Sequence, residues 1–114
     1  MPLDNIYYDL DKAEIRPDAA LELDKLVKIL KDNPGIRIEL SSHTDARSSD
    51  EYNQDLSQRR AESAVEYIVS QGINASRLEA KGYGERQLII ENAQTEEEHQ
   101  INRRTEFKVI EITE

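Results

Sequence analysis

Cysteine is absent from this chain, which removes disulfide scaffolds, thiolate zinc sites and cysteine nucleophiles without deciding the compartment. Tryptophan is absent too, and with one phenylalanine and aromatics at 5% the core has to be aliphatic. No apolar run approaches the ~20 residues that cross a bilayer, and the opening Met1-Pro2-Leu3 is unlike a signal peptide. The chain is therefore expected to be either cytosolic or one domain taken from a longer exported chain. A basic stripe is lacking as well: 15 lysines and arginines stand against 24 acidic residues, for a net charge of −9. A nucleic-acid backbone or an anionic membrane surface would repel such a chain.

What remains is enough for one small unit. The 114 residues fit the usual ~100–150 of a compact domain and leave no room for two, so 1–114 is taken as a single domain. Hydrophobic residues are 37% against a usual ~45–50%, and charged residues are 34% against ~25%. The aliphatic side chains still suffice for one two-layer core. There is no internal repeat and no low-complexity tract.

Apolar alternation at Ile6, Tyr8 and Leu10 predicts a first strand. Pro17 suits the first turn of a helix, and Leu23, Leu26, Val27 and Leu30 then recur at helical spacing on one face. Asp32-Asn33-Pro34-Gly35 stops that helix. Ile36, Ile38 and Leu40 alternate with Arg37 and Glu39 in a second strand, which runs into a polar loop over 41–49. Ser48 and Glu51 have capping-box spacing, so a second helix should start near Ser49 or Asp50. Leu56, Ala61, Ala64, Val65, Ile68 and Val69 keep its period until Gly72, a natural residue just past a helix end. A third strand is expected over 78–84, a loop over 85–94, a short helix capped by Thr95 and Glu98, and a fourth strand over 105–112. The order β-α-β-α-β-(short helix)-β predicts an α/β domain: two main helices packed on one mixed four-stranded sheet through right-handed crossovers. Without a long helical crossover, the last strand should run antiparallel to the third.

Topology then concentrates polar groups. In α/β sheets ligands sit beyond the carboxyl ends of the parallel strands. Asp9 and Asp11 follow strand one, and Thr44 with Asp45 follows strand two. An antiparallel fourth strand begins at that same rim and brings Asn102 and Arg103, while the second helix starts there and brings Asn53. Arg60 breaks the pattern, because its i+4 row Leu56-Arg60-Ala64-Ile68 is otherwise apolar. It must point toward the sheet or its rim and needs a partner, since an unpaired buried guanidinium is costly. Two readings stay open: an Asp45–Arg60 ion pair that pins loop to helix, or two opposite charges held apart for a ligand that carries both.

Thr44-Asp45, Asn53, Leu56-Ser57, Arg60-Ala61, Gly82-Tyr83-Gly84-Glu85 and Asn102-Arg103-Arg104 occur in one order over nearly the whole chain. Together they resemble the signature of the OmpA-like C-terminal domain family, which includes peptidoglycan-associated lipoproteins and the periplasmic part of flagellar stators. The resemblance implies non-covalent binding of peptidoglycan through the diaminopimelate of its stem peptide, with no catalysis and no cofactor. It implies that Asp45 takes the diaminopimelate ammonium and Arg60 its carboxylate. Thr44, Asn53 and Arg103 would add hydrogen bonds, and Asp9, Leu10 and Asp11 would line the other side. It further implies a periplasmic domain, tied to the outer membrane by upstream segments, with dimers or periplasmic proteins as further partners. A zwitterionic end needs an anion and a cation a few ångströms apart, with the arginine fork engaging the carboxylate. The chain departs from the family at Ser42 and Ser48, where glycine is usual, and at Asp11, where asparagine is common.

Other chemistries fit less well. His43, Asp45 and neighbouring serines lie within one loop and lack an oxyanion glycine turn, which argues against a cell-wall hydrolase. Asp9-Leu10-Asp11 lacks the glycine and the terminal glutamate of a calcium loop, with Glu14 and Ala20 at those positions. His43 and His99 are far apart without cysteine support, so no metal site is expected. Glu96, Glu97 and Glu98 suit a solvated helix start. Tyr83 would stack on a ligand or cover the core edge. The remaining alternative is an envelope protein–protein interaction module, which an exposed apolar patch would mark.

Overall fold

The computed structural model describes residues 6–7, 17–44, 49–85 and 89–113. Its elements are β1 (Ile6–Tyr7), α1 (Pro17–Asp32), β2 (Ile36–Ser42), α2 (Asp50–Ser70), a 3-10 turn (Ala75–Arg77), β3 (Leu78–Gly82), α3 (Glu96–Asn102) and β4 (Arg104–Ile112). The expected α/β alternation is borne out. The three longer strands form a mixed sheet in which β2 pairs parallel with β3 and antiparallel with β4. The two residues of β1 pair antiparallel with the start of β4, giving the order β1-β4-β2-β3. The last strand thus runs antiparallel to the third as expected, with β2 between them.

α1 buries Ala19, Leu23, Leu26, Val27 and Leu30, one stripe at helical period. These meet Ile38 and Leu40 from β2, Ala64 and Ile68 from α2, and Ile73 and Leu78 in one aliphatic core. The end of α1 is tied down by polar contacts. Asn33 Nδ2 donates to the Ile29 carbonyl at 2.9 Å, and Arg77 Nη2 donates to the carbonyls of Leu30 at 2.9 Å and Asn33 at 2.8 Å. Arg77 Nε also reaches the Ile36 carbonyl at 3.1 Å, joining the helix end to the start of β2. Carbonyls at a helix C-terminus have no partner inside the helix, so one arginine serves several of them.

Two strand boundaries and one helix cap differ from expectation, while α2 starts at Asp50 as expected. β2 continues through Ser41 and Ser42, because both keep ladder partners on each side: Lys81 and Glu106 for Ser41, Gly82 and Thr105 for Ser42. The cap of α2 is Ser49 and not Ser48; its side chain accepts from the Tyr52 amide at 3.2 Å. β3 is shorter than expected because the chain turns at Gly84, whose φ is 58°. The Thr95–Glu98 capping box of α3 is present as expected.

The buried face of α2 changes character along its length: Asn53, Ser57 and Arg60 stand with Leu56 in the first part, then Ala61, Ala64 and Ile68 follow. Its polar half lies along β3, an edge strand whose outer backbone groups need partners. Gln58 Oε1 accepts from the Gly82 amide at 2.9 Å, and Gln54 Nε2 donates to the Gly82 carbonyl at 2.7 Å. Gln58 Nε2 reaches the Ala80 carbonyl at 3.2 Å, and Ser57 Oγ accepts from the Gly84 amide at 2.9 Å. Gly82 permits this approach, since a Cβ there would stand 2.4 Å from Gln58 N and from Ser57 Oγ.

Candidate functional site

Ser42 pairs with both Gly82 and Thr105, and Thr105 pairs with Ile6. The ends of β1, β2 and β3 and the start of β4 therefore share one rim, as the topology required. Backbone bonds weld it together. The His43 amide donates to the Arg104 carbonyl at 2.7 Å, Tyr83 N to the Ser42 carbonyl at 2.9 Å, and Thr44 N to the Gly84 carbonyl at 2.9 Å.

Four of the expected site residues stand at this rim, and all are enclosed: Arg60 is 0% exposed, Thr44 and Asn53 2%, and Arg103 3%. Arg60 Nη1 donates to the His43 carbonyl at 3.2 Å. The guanidinium thus points from α2 to the end of β2, as its place in an apolar row predicted. Asn53 Nδ2 donates to Glu85 Oε1 at 3.0 Å. Arg103 Nη2 meets Glu96 Oε1 at 2.7 Å, tying the end of α3 to its own first turn. Thr44 Oγ1 is buried and has no hydrogen-bond partner among the described residues. Asp45, Asp9, Leu10 and Asp11 lie outside the described residues. Asn102 reaches the rim but serves the fold there. Its Oδ1 accepts from the amides of Ile89 at 2.9 Å and Ile90 at 3.0 Å, and its Nδ2 donates to the Ile90 carbonyl at 2.9 Å, clasping the loop before α3.

The sequence reading missed a polar cluster on the sheet face opposite the helices. Glu39, on β2, accepts from Ser41 Oγ at 2.9 Å, Tyr83 OH at 3.2 Å and Lys108 Nζ at 3.1 Å. Burial pushes its carboxyl pKa up, but the Ser41, Lys108 and Tyr83 contacts outweigh that and leave it below the ordinary value. His43 is 2% exposed and stacks on Tyr83, with centroids 5.4 Å apart and planes 11° off parallel. Burial and then the Arg104 charge hold its pKa down to about 4, against a smaller upward pull from Glu106. The imidazole is therefore neutral at pH 7. The missed signal was strand parity: Glu39, Ser41 and His43 share a face with Arg104, Glu106 and Lys108 across the ladder.

Among the described residues the serines and the histidine of this segment are not joined to one another. Ser41 Oγ is bonded to Glu39 and Ser42 Oγ to Thr105 Oγ1, and His43 makes no hydrogen bond to a serine among the described residues. Tyr83 is engaged by His43, Glu39 and Lys81 on the sheet face opposite the helices. Among the described residues no group of three or more His, Asp or Glu side chains is placed to hold a metal ion. No described helix is long and apolar enough to cross a membrane. A separate groove of about 620 Å³ runs along the start of α2, lined by Asp50, Glu51, Gln54, Asp55, Gln58, Tyr83, Gly84 and Glu85. Its rim is acidic, and it contains neither Thr44 nor Arg60.

Helices packed on one face of a mixed sheet are an arrangement shared with known envelope proteins. The chain superposes on the peptidoglycan-associated lipoprotein of Burkholderia pseudomallei with a TM-score of 0.87 at 25% identity, covering 93% of this chain and 89% of that one. Its fold also matches the C-terminal domain of Helicobacter pylori MotB, with a TM-score of 0.86 at 22% identity over 96% of this chain and 85% of that one. In sequence it is 36% identical over 105 residues to outer membrane porin F of Pseudomonas fluorescens, covering 92% of this chain and 32% of the porin. It is likewise 36% identical over 102 residues to the peptidoglycan-associated lipoprotein of Pseudomonas aeruginosa, covering 90% of this chain and 60% of the lipoprotein. The profile of the OmpA family matches residues 7–103, and the chain belongs to that family. It spans about a third of the porin and three fifths of the lipoprotein.

Proposed function

We propose that this domain binds peptidoglycan non-covalently through the diaminopimelate of the stem peptide, and so holds an outer-membrane protein or lipoprotein to the cell wall. On this reading residues 1–114 are one binding domain of a longer periplasmic protein, and it catalyses no reaction. The observation that carries the proposal is the rim itself. The Arg60 guanidinium is fully buried and reaches the His43 carbonyl, and the next residue, Thr44, has a buried hydroxyl without a partner among the described residues. Arg60 would grip the diaminopimelate carboxylate and Asp45 the ammonium, with Thr44, Asn53 and Arg103 adding hydrogen bonds and Asp9, Leu10 and Asp11 closing the far side. Because Arg60 is enclosed, binding is coupled to a local opening of the rim through which the stem carboxylate reaches it. Charge-assisted bonds contribute roughly 1.5–3 kcal/mol each, enough for one lost partner to abolish weak binding. Net charge opposes attraction to an anionic polymer at long range, so affinity has to come from contact.

Co-sedimentation with purified sacculi that contain diaminopimelate tests this. Asp45→Ala and Arg60→Ala should each remove the domain from the pellet while circular dichroism shows the fold intact. Both variants pelleting like wild type would sink the proposal, and unfolding of both would favour a purely structural ion pair.

One observation supports a second reading, an envelope protein–protein module. The groove beside α2, rimmed by Asp50, Glu51, Asp55 and Glu85, suits a basic segment of a protein partner. Asp50→Lys with Glu51→Lys would then abolish partner binding and leave sacculus binding unchanged.

A further inference from the structure

The peptide group between His43 and Thr44 is held on both of its polar sides from α2. Its carbonyl accepts from Arg60 Nη1 at 3.2 Å. Its amide, Thr44 N, donates to the Gly84 carbonyl at 2.9 Å, the one hydrogen bond that Thr44 makes among the described residues. Gly84 is held in turn, because its own amide donates to Ser57 Oγ at 2.9 Å. Ser57 is fully buried, and its hydroxyl proton goes to the Gln54 carbonyl at 3.0 Å, so the oxygen presents a lone pair to Gly84. The helix thus reaches Thr44 from Ser57 through a single intervening residue.

The sheet by itself would place Thr44 differently. β2 and β3 run in parallel register from Ile38–Leu78 to Ser42–Gly82, and the Tyr83 amide continues that ladder by donating to the Ser42 carbonyl. The next bond of a regular parallel ladder would run from the Thr44 amide to the Tyr83 carbonyl. It runs to Gly84 instead, one residue further on, where a φ of 58° turns the chain. The end of β2 therefore leaves the register of the sheet. Its attachments to α2 are Ser57 and Arg60, three residues apart on one helix face.

We infer that Ser57 is a positioning residue for the guest: by way of Gly84 it sets where Thr44 stands relative to Arg60 and Asn53 on α2. This rests on the binding function proposed above and adds to it a residue that touches no guest. Hydrogen bonds weaken steeply with misalignment, so a pocket shared between a strand end and a helix needs that spacing fixed.

The test reads binding and geometry separately, with affinity for the tripeptide L-alanyl-D-glutamyl-meso-diaminopimelate measured by calorimetry and the Thr44 amide followed by NMR. Ser57→Ala removes the acceptor for Gly84. It should weaken tripeptide binding about tenfold or more, the equivalent of one lost hydrogen bond, and should shift the Thr44 amide resonance. Arg77→Ala, at the other end of β3, is the control for a loss of stability alone. Its folded form should bind within about twofold of wild type with the Thr44 amide unmoved. Equal loss of affinity in the two variants would reduce Ser57 to a structural role and overturn the inference. Ser57→Ala binding like wild type would overturn it equally. Should Ser57→Ala fail to fold, Gly84→Ala takes its place, since it keeps every hydrogen-bonding group and opposes only the left-handed backbone. It should give the same loss and the same shift, and wild-type affinity there would overturn the inference. Failure of wild type to bind the tripeptide would overturn the functional reading instead. The relay is then judged on the Thr44 amide, and an unmoved resonance in Ser57→Ala would overturn it.

Discussion

Acidification from pH 7 toward 4 should destabilise this domain through His43, well before its carboxylates protonate. The ordinary histidine value is 6.5, and in the fold burial and Arg104 hold His43 at about 4. Between those limits the unfolded chain takes up a proton that the folded chain refuses. Stability is therefore full above 6.5 and falls with pH by about 1.4 kcal/mol per unit, to a total near 3 kcal/mol. Against a typical 5–15 kcal/mol for a domain, that loss is large. The charged groups around the ring are Arg104 and Glu106 from β4, with Lys81 over the stacked Tyr83 and Glu39 bonded to the Tyr83 hydroxyl. Glu39 also has a depressed pKa, so its contribution persists until pH falls below the ordinary carboxylate range. The interval from pH 6.5 to 4.5 thus isolates the histidine. Urea unfolding across that interval should show the slope in wild type and not in His43→Phe, which keeps the stack and removes the proton site. Parallel pH profiles for the two proteins would refute the reasoning.

Two further outcomes follow from the packing. Gly82→Ala drives a methyl group to within 2.4 Å of the α2 backbone, and should cost about 1–3 kcal/mol in urea unfolding. It should also weaken sacculus binding, because the turns of α2 that carry Asn53 and Arg60 are displaced. Arg77→Ala strips a donor from the carbonyls of Leu30, Asn33 and Ile36 and should lower stability by about 1–3 kcal/mol, leaving sacculus binding of the folded protein unchanged.

The order and type of the main elements were legible because their signals are local: the aliphatic stripe of α1, the Ile38–Leu40 alternation, the Thr95–Glu98 cap. Arg60 was legible for a similar reason, as the single charge in an apolar row. The extension of β2 through Ser41 and Ser42 was not, since two serines read as loop until Gly82 and Thr105 supply a ladder on each side. Nor was the polar half of the buried α2 face. Topology places Asn53 at the rim, but the burial of Ser57 has no sequence signal until β3 is known to be an edge strand that the helix must cover. The His43–Tyr83 stack and the Glu85 contact join residues far apart in the chain, and depend on strand order, which the periodicity of single segments does not encode.

The central claim is that the rim grips a group carrying both charges, and the choice of third residue in the stem tests it most directly. Calorimetry with two tripeptides, one ending in diaminopimelate and one in lysine, isolates the distal carboxylate. Wild type should favour the diaminopimelate peptide by about tenfold or more, and Arg60→Ala should bind both equally weakly. Equal affinity of wild type for the two peptides would contradict the account.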